Sequence, residues 1–239
     1  MPELGTAVIV GVGEGLGASL CRRFASAGHP IAMAARNIDK LTPLVNEIKK
    51  IGVKVKAFKA DATKEAEIIQ VFSDAESQLG QVEITIFNVG TLFRSSIVNM
   101  PDQKFEDVWR TSCFAGMVVG REAARIMVPR SRGTILFTGG RSSRRAEAEL
   151  SAFAVGKFGL RAVAESMARE LAPKGIHVSH FVIEGFINNQ RGRKMRPKKL
   201  AEDGLVSTKE LAELYFQTHC QPKNCWTFEV DLRAWTDPL

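Results

Sequence analysis

The sequence has few cysteines, a single tyrosine and no long apolar run, and these shortages exclude several classes of protein. Its four cysteines, Cys21, Cys113, Cys220 and Cys225, show neither C-x-x-C spacing nor the pattern of a small disulfide-bonded domain. This argues against structural zinc and favours a reducing compartment. No apolar stretch approaches the ~18 residues of a membrane span, and the start of the sequence lacks the cationic region of a signal peptide. We therefore expect a cytoplasmic protein without a bound metal.

Positive charge is concentrated in one segment. The net charge of +7 includes six cationic and no anionic side chains in RGRKMRPKK, residues 191–199, and without these six the sequence carries +1. No basic face with interleaved aromatic residues, typical of nucleic-acid-binding proteins, accompanies the segment. Nucleic acid and membrane are therefore not expected as partners. The segment is interpreted either as a functional basic loop or as a solvated one.

Short β-branched runs alternate with longer amphipathic stretches. The runs predict strands at 6–10, 31–35, 53–58, 82–87, 133–138, 176–183 and about 226–230, and the stretches predict helices at 15–28, 38–51, 64–79, 103–128, 150–173 and about 208–219. Such alternation is typical of βαβ units. The predicted fold is α/β, one Rossmann-like domain over residues 1–239 with a doubly wound, mostly parallel sheet of about seven strands and helices on both faces. Ligands are then expected beyond the C-terminal ends of the strands.

A glycine-rich turn joins the first predicted strand to the first predicted helix. The stretch GVGEGLG places Gly11, Gly13, Gly15 and Gly17 in this turn. Glycines allow the backbone to approach a pyrophosphate, and the helix N-terminus offers free N–H donors. Close packing of a helix on a strand also calls for glycine, so the turn alone is a weak signal. Its position after the first strand favours nucleotide binding.

The residues after the second predicted strand indicate which dinucleotide binds. NAD-specific folds place an acidic residue there for the ribose 2′-hydroxyl, whereas this sequence has Ala35 and then Arg36. An arginine suits a 2′-phosphate, so we expect NADP(H) in preference to NAD(H). The alternative is a solvated arginine at the start of a helix. Glu14, in the glycine turn, opposes phosphate binding by repulsion.

Two later loops extend the predicted cofactor site. Asp61, in KADAT after the third strand, is expected either to bond an adenine edge or to cap the next helix. Asn88 and Gly90, in FNVGT after the fourth strand, are expected to form a turn beside the cofactor or a purely structural turn.

Together these motifs resemble the short-chain dehydrogenase/reductase family in its single-domain form, over almost the whole chain. The resemblance rests on the glycine pattern, the Asp61 turn, Asn88 and Gly90, the strand GTILFTGG, the helix that carries Lys157, and GFIN at 185–188. It implies an oxidoreductase that acts on a small molecule and forms a homodimer or homotetramer through the helices at 103–128 and 150–173, with a substrate lid at about 188–206. The cofactor-binding residues that it implies are Gly11, Gly13, Gly15, Leu16, Gly17, Arg36, Asp61, Ala62, Asn88, Gly90, Lys157, Gly185 and Ile187.

The sequence departs from this family at the catalytic positions. The family's tyrosine, four residues before the lysine, corresponds to Phe153, its serine to Gly140 and its asparagine to Cys113. Reduction of a carbonyl requires an acid at the developing alkoxide, and a phenyl ring has no proton to donate. The only tyrosine, Tyr215, lies in the last predicted helix. The resemblance implies that Lys157 holds the nicotinamide ribose; the alternative is that its side chain extends from an apolar helix to the surface.

The sequence is similar to a divergent subgroup of the family that has Phe at the tyrosine position, keeps the lysine and ends in a stretch like WTFEVDLRAW, residues 226–235. The candidate catalytic residues are Lys157, Phe153 at the tyrosine position, Ser143 and Glu184. Other polar groups expected near the nicotinamide end are Ser142, Cys113 and His180, each also open to a structural role.

Two functions remain open at this point. The first is an NADP(H)-linked reductase, for instance of an activated C=C bond, whose proton does not come from a tyrosine. The second is a catalytically inactive nucleotide-binding sensor or scaffold. For the reductase, the basic segment together with Arg141, Arg144 and Arg145 is expected to favour an anionic substrate.

Overall fold

Seven parallel strands form one sheet in the computed structural model, which describes residues 4–237. The sheet order is β3-β2-β1-β4-β5-β6-β7. The strands are β1 Thr6–Val10, β2 Ile31–Ala35, β3 Val55–Lys59, β4 Val82–Phe87, β5 Gly133–Thr138, β6 Ile176–Glu184 and β7 Glu229–Arg233. The predicted fold class, a doubly wound parallel sheet of about seven strands, is confirmed.

Helices cover both faces of the sheet. They are α1 Leu16–Ser26, α2 Thr42–Ile51, α3 Glu65–Leu79, α4 Asp102–Trp109, α5 Ala115–Met127, α6 Ser151–Leu171, α7 Gln190–Met195, α8 Pro197–Ala201 and α9 Thr208–His219. Apolar residues of α3, α5 and α6 form a core with one face, and those of α1, α2 and α9 form a core with the other. All residues of β1 and β5 are buried, as expected for strands covered on both sides.

Several predicted boundaries are wrong, and three of the differences have a clear structural cause. β3 begins two residues later than predicted, because its pairing with β2 starts at Val55 opposite Ile31. β7 begins and ends three residues later than predicted. Trp226, which was predicted to begin this strand, instead stacks on His177, with ring centroids 4.9 Å apart and ring planes 1° apart. The predicted helix at 103–128 is interrupted by a π-helical turn at Arg110–Phe114.

The π-helical turn packs closely against α6. A Cβ at Gly156 would lie 2.8 Å from the Cβ of Ser112, and one at Gly159 would lie 2.7 Å from the Sγ of Cys113. The extra residue of a π turn changes which side chains face a neighbouring helix, and such turns recur at functional sites. Here the turn presents Ser112 and Cys113 to two glycines of α6.

The sheet order places a crevice between β1 and β4. β1 pairs with β2 on one side and with β4 on the other, so the connections leave to opposite faces at this point. Gly11 follows β1 and Asn88 follows β4. Ligands of doubly wound sheets bind at such a switch point. No helix within residues 4–237 has both the length and the apolar character to cross a bilayer.

Candidate cofactor and active site

A cleft of about 650 Å³ lies beyond the C-terminal ends of the central strands. The residues predicted for the cofactor that line it are Gly11, Gly13, Arg36, Asp61, Ala62, Asn88 and Gly90. A second cavity, of about 440 Å³, shares Val12, Gly13, Ala35 and Arg36 with this cleft and continues along the outer side of the glycine turn. The structure thus brings most of the predicted cofactor residues to one continuous opening.

The glycine turn is packed tightly at the rear and is open in front. Gly11 has a φ of +91°, and a Cβ there would lie 2.7 Å from the carbonyl oxygen of Asn88, so only glycine fits. Asn88 holds the turn, since its Nδ2 donates to the carbonyl oxygen of Gly11 at 3.1 Å. A Cβ at Gly13, in contrast, would meet nothing within 4 Å. The open side leaves room for a ligand close to the backbone.

The start of α1 adds donors to this opening. Gly15 precedes the helix and offers no side-chain cap, and Leu16 is buried beneath it. The first N–H groups of a helix have no intrahelical partner and attract an anion. An uncapped helix beside an open glycine turn therefore fits a pyrophosphate.

Asp61 forms a turn with Thr63 and does not cap a helix directly. Its Oδ1 accepts hydrogen bonds from the Thr63 amide at 3.0 Å and from the Thr63 hydroxyl at 2.8 Å. Partial burial opposes ionisation, but these bonds and nearby Arg36 hold the pKa of Asp61 below its ordinary value. Helix α3 begins at Glu65 with Lys64 before it, so the predicted capping alternative is wrong. The carboxylate faces the cleft.

Lys157 is buried in α6 behind Gly90, a residue of the cleft wall, and does not itself line the cleft. The residue is 5% exposed, and its Nζ donates to the carbonyl oxygen of Thr138 at 2.8 Å. A Cβ at Gly90 would lie 3.4 Å from the same nitrogen, which places the ammonium group behind the loop that follows β4. Burial lowers the pKa of Lys157 to about 8. The alternative that this side chain extends to the surface is therefore wrong.

The positions that were predicted to be catalytic contain no phenol. Phe153 lies one turn before Lys157 and is partly buried. Tyr215 is fully buried, its hydroxyl is 2.9 Å from the Thr138 hydroxyl, and burial raises its pKa. Because α9 and α6 cover opposite faces of the sheet, Tyr215 lies away from Phe153. Within residues 4–237 no tyrosine side chain reaches the cleft.

Ser143 and Glu184 occupy different surroundings. Ser143 is fully buried, and its hydroxyl oxygen accepts from the Gly140 amide at 3.2 Å, which leaves the hydroxyl proton free to donate. Glu184 ends β6, and its carboxylate lies 3.3 Å from Arg141 and 3.8 Å from Arg233. Glu184 is therefore a partner in an ion-pair network, whereas Ser143 closes the turn after β5.

Two of the arginines expected to favour an anionic substrate are already paired. Arg141 lies 3.2 Å from Glu147 as well as near Glu184. Arg144 lies 2.7 Å from Glu229 and also pairs with Asp231. These carboxylates largely balance the two positive charges. The structure therefore does not support the prediction that Arg141 and Arg144 attract an anionic substrate.

The ring of His180 leaves no room for a side chain at residue 139. The ring is fully buried against Gly139, so closely that a Cβ there has no room. Burial, together with nearby Lys157, lowers the pKa of His180 to about 4, although Glu229 at 3.4 Å opposes this shift. At Gly140, in contrast, the atom nearest to an added Cβ is the carbonyl oxygen of Ile183, at 3.4 Å. His180 is therefore a neutral packing residue and not an evident proton donor.

The predicted lid is closed at its base by a short ladder. Ile187 pairs in parallel with Val206. The Asn188 amide donates to the Val206 carbonyl oxygen at 2.8 Å, and the Val206 amide donates to the Phe186 carbonyl oxygen at 2.9 Å. Gly185 has a φ of +113°, which turns the chain out of β6. Helices α7 and α8, which sequence reasoning missed for want of apolar periodicity, lie inside this loop.

Two residues of the second cavity were also missed as cofactor residues. Lys40 and Arg191 line it together with Arg36. Lys40 follows Arg36 by four residues, a spacing that was visible in the sequence. The place of Arg191 depends on how the loop of residues 188–206 folds back, and no sequence pattern indicates that.

The chain is similar to known proteins in sequence and in fold. A family model described as short chain dehydrogenase matches residues 5–199. The chain is 38% identical to a short-chain dehydrogenase from Rhodopseudomonas palustris, with a TM-score of 0.85 and coverage of 97% of this chain and 99% of that one. It is 28% identical to the short-chain dehydrogenase/reductase eriH of Hericium erinaceus over 76% of this chain and 74% of that protein. An alcohol dehydrogenase from the archaeon Thermococcus sibiricus, complexed with 5-hydroxy-NADP, matches 99% of each chain with a TM-score of 0.88 at 19% identity, a likeness of fold alone.

Proposed function

Since the chain belongs to the short-chain dehydrogenase family, we propose that it is an NADP(H)-dependent oxidoreductase that transfers hydride without a catalytic tyrosine. The observation that carries the proposal is Arg36. It follows β2 with no acidic residue beside it, and it lies where the cleft and the second cavity meet. An arginine fork suits a 2′-phosphate at this position. Structures of fold relatives in complex with NADP nucleotides are consistent with this choice.

The residues of this chain would hold the dinucleotide along the cleft. The open glycine turn and the start of α1 receive the pyrophosphate, Arg36 the 2′-phosphate, and Asp61 the adenine. Lys157 donates one N–H to Thr138 and has two further N–H groups for the hydroxyls of the nicotinamide ribose. When bound, the cofactor supplies or accepts the hydride.

Proton delivery is proposed to differ from that of a carbonyl reductase with a tyrosine. Phe153 has no acidic proton, and Glu184 is held by two arginines. Ser143, with a free hydroxyl proton beside Gly140, or water remains as the donor. Hydride addition to an activated C=C bond suits such a site, because charge develops away from the attacked carbon and protonation follows later. We therefore propose conjugated carbonyl compounds as the substrate class.

The assembly and the lid are proposed on the same basis. Val155 and Phe158 are 44% and 42% exposed on α6, an apolar pair suited to contact with a second copy of the chain. We propose a homodimer or homotetramer formed through α4 to α6. The loop of residues 188–206, closed by the pairing of Ile187 with Val206, is proposed as the substrate lid of a single domain.

The proposed reaction is tested by NADPH oxidation in the presence of enoyl thioesters, quinones and simple ketones. Turnover with the conjugated compounds, lost in Lys157→Ala and kept in Lys50→Ala, is the expected result. Lys50 is exposed at the end of α2 and serves as the matched control. Tight NADPH binding without NADPH oxidation by any of the three substrate classes would contradict the proposed oxidoreductase activity and favour a nucleotide-binding sensor or scaffold.

A further inference from the structure

The second cavity is formed by parts of the chain that are far apart in sequence. Its walls are the glycine turn, the residues after β2 and the start of α7. Three cationic side chains, Arg36, Lys40 and Arg191, line it, against the single carboxylate of Glu14. The cavity is therefore positive, and one of its three cations comes from the basic segment of the predicted lid.

These cations stand out because most arginines of the chain already have partners. Their side chains bind carboxylates, amide or carbonyl oxygens, or lie over an aromatic ring, as with Arg22, Arg130, Arg161 and Arg193. Within residues 4–237, Arg145 and Arg191 make no such contact, and Arg36 interacts with Asp61 through its charge without a hydrogen bond or a close ion pair. Two of these three line the same cavity. Like charges around one opening repel each other, and an anion between them would remove that repulsion.

The start of α7 is held against the glycine turn. A Cβ at Gly15 would lie 3.2 Å from the Nδ2 of Asn189. The Asn189 side chain in turn accepts a hydrogen bond from the Gly192 amide at 2.8 Å, which fixes the first turn of α7. Arg191 lies within this turn, so its backbone is placed beside the glycine turn even though its side chain is exposed.

We infer that Arg191 is a third cation of the 2′-phosphate site, so that NADP(H), unlike NAD(H), ties the segment of α7 and α8 to the bound nucleotide. The inference rests on the proposed function, because it requires a nucleotide in the cleft. Arg36 and Lys40 hold the phosphate from the side of β2, and Arg191 holds it from the side of the lid. Arg191 is thus a specificity-determining residue supplied by the element that covers the substrate.

The test measures binding of 2′,5′-ADP and of 5′-AMP by calorimetry at low ionic strength. These probes contain the adenosine end alone and differ only in the 2′-phosphate. The proteins are the wild type, Arg191→Gln, Arg36→Gln and the control Lys194→Gln. Lys194 is an exposed cation of the same helix that does not line the cavity. Hydrogen exchange of residues 190–196 is followed with each probe as a second readout.

We expect Arg191→Gln to weaken the binding of 2′,5′-ADP by about five- to tenfold, as is typical of the loss of one exposed charge-assisted contact. Binding of 5′-AMP is unchanged, and only 2′,5′-ADP slows exchange of residues 190–196. Equal losses for both probes, or the same 2′,5′-ADP affinity in Arg191→Gln and Lys194→Gln, would overturn the inference while the cofactor proposal stands. If the wild type binds 2′,5′-ADP no more tightly than 5′-AMP, the NADP(H) proposal fails and the role of Arg191 fails with it.

Discussion

Replacing Lys157 with methionine is predicted to stabilise the protein while it abolishes nucleotide binding. The ammonium group is almost fully buried, and burial lowers its pKa from 10.5 to about 8. At 1.36 kcal/mol per pKa unit, the charged form costs the native state roughly 3 kcal/mol at neutral pH. The hydrogen bond to Thr138 returns ~1.5 kcal/mol. Lys157→Met should therefore be about 1–2 kcal/mol more stable than the wild type at pH 7.

The stabilisation should depend on pH in one direction. Between pH 8 and 10.5 the unfolded chain keeps a proton on Lys157 that the native protein has released, so the stability of the wild type rises with pH in this window. The advantage of Lys157→Met should shrink over the same window. Other groups titrate in both proteins and cancel in the difference between them.

Urea denaturation of wild type and variant at pH 7 and pH 10 measures this difference. Lys50→Met, at an exposed position, is the control and should change stability by less than ~0.5 kcal/mol at either pH. Affinity for NADPH and for NADH should fall alike in Lys157→Met, because the nicotinamide ribose is common to both. A variant less stable than the wild type at pH 7, or a difference that is the same at both pH values, would refute this account of Lys157.

Two comparisons of neighbouring glycines test the site. Gly11→Ala should destabilise the protein by ~2 kcal/mol or more, because Gly11 has a positive φ and the Asn88 carbonyl lies 2.7 Å from the added Cβ, whereas Gly13→Ala should fold normally and lose only nucleotide affinity. Urea denaturation paired with NADPH titration separates the two effects, and equal stability losses would contradict the open front of the turn. Gly140→Ser should be tolerated and Gly139→Ser should not, since only the latter meets His180. Thermal melts of both serine variants decide this, and a stable Gly139→Ser would contradict the packing described for His180.

The central strands and the glycine turn could be predicted from the sequence because local physics determines them. β1, β2, β4 and β5 have the predicted bounds, since each is a short buried run flanked by turn residues. Gly11 could be assigned because a strand-to-helix turn needs it. The start of β7 could not be assigned, because Trp226 stacks on His177 and the ladder with β6 begins only at Glu229, opposite His180.

The family resemblance implied a lid at about 188–206, but the helices and contacts within this loop could not be predicted, because they depend on distant parts of the chain. The basic segment carries no apolar periodicity, yet it forms α7 and α8 between two points of the ladder of Ile187 and Val206. Arg191 lines the same cavity as Arg36 because this loop folds back toward the glycine turn. Likewise, the pairing of Arg144 with Glu229 and Asp231 joins residues more than 80 positions apart, which composition alone cannot indicate.

We propose that the cleft binds NADP(H) through Arg36 and Lys157, and we would first titrate the purified protein with NADPH, NADP, NADH and NAD in a calorimeter. We predict tighter binding of the two phosphorylated nucleotides, a preference that Arg36→Ala removes, and loss of all four in Lys157→Ala. Absence of binding to any of the four nucleotides would contradict the claim, and the glycine turn would then be a structural feature alone.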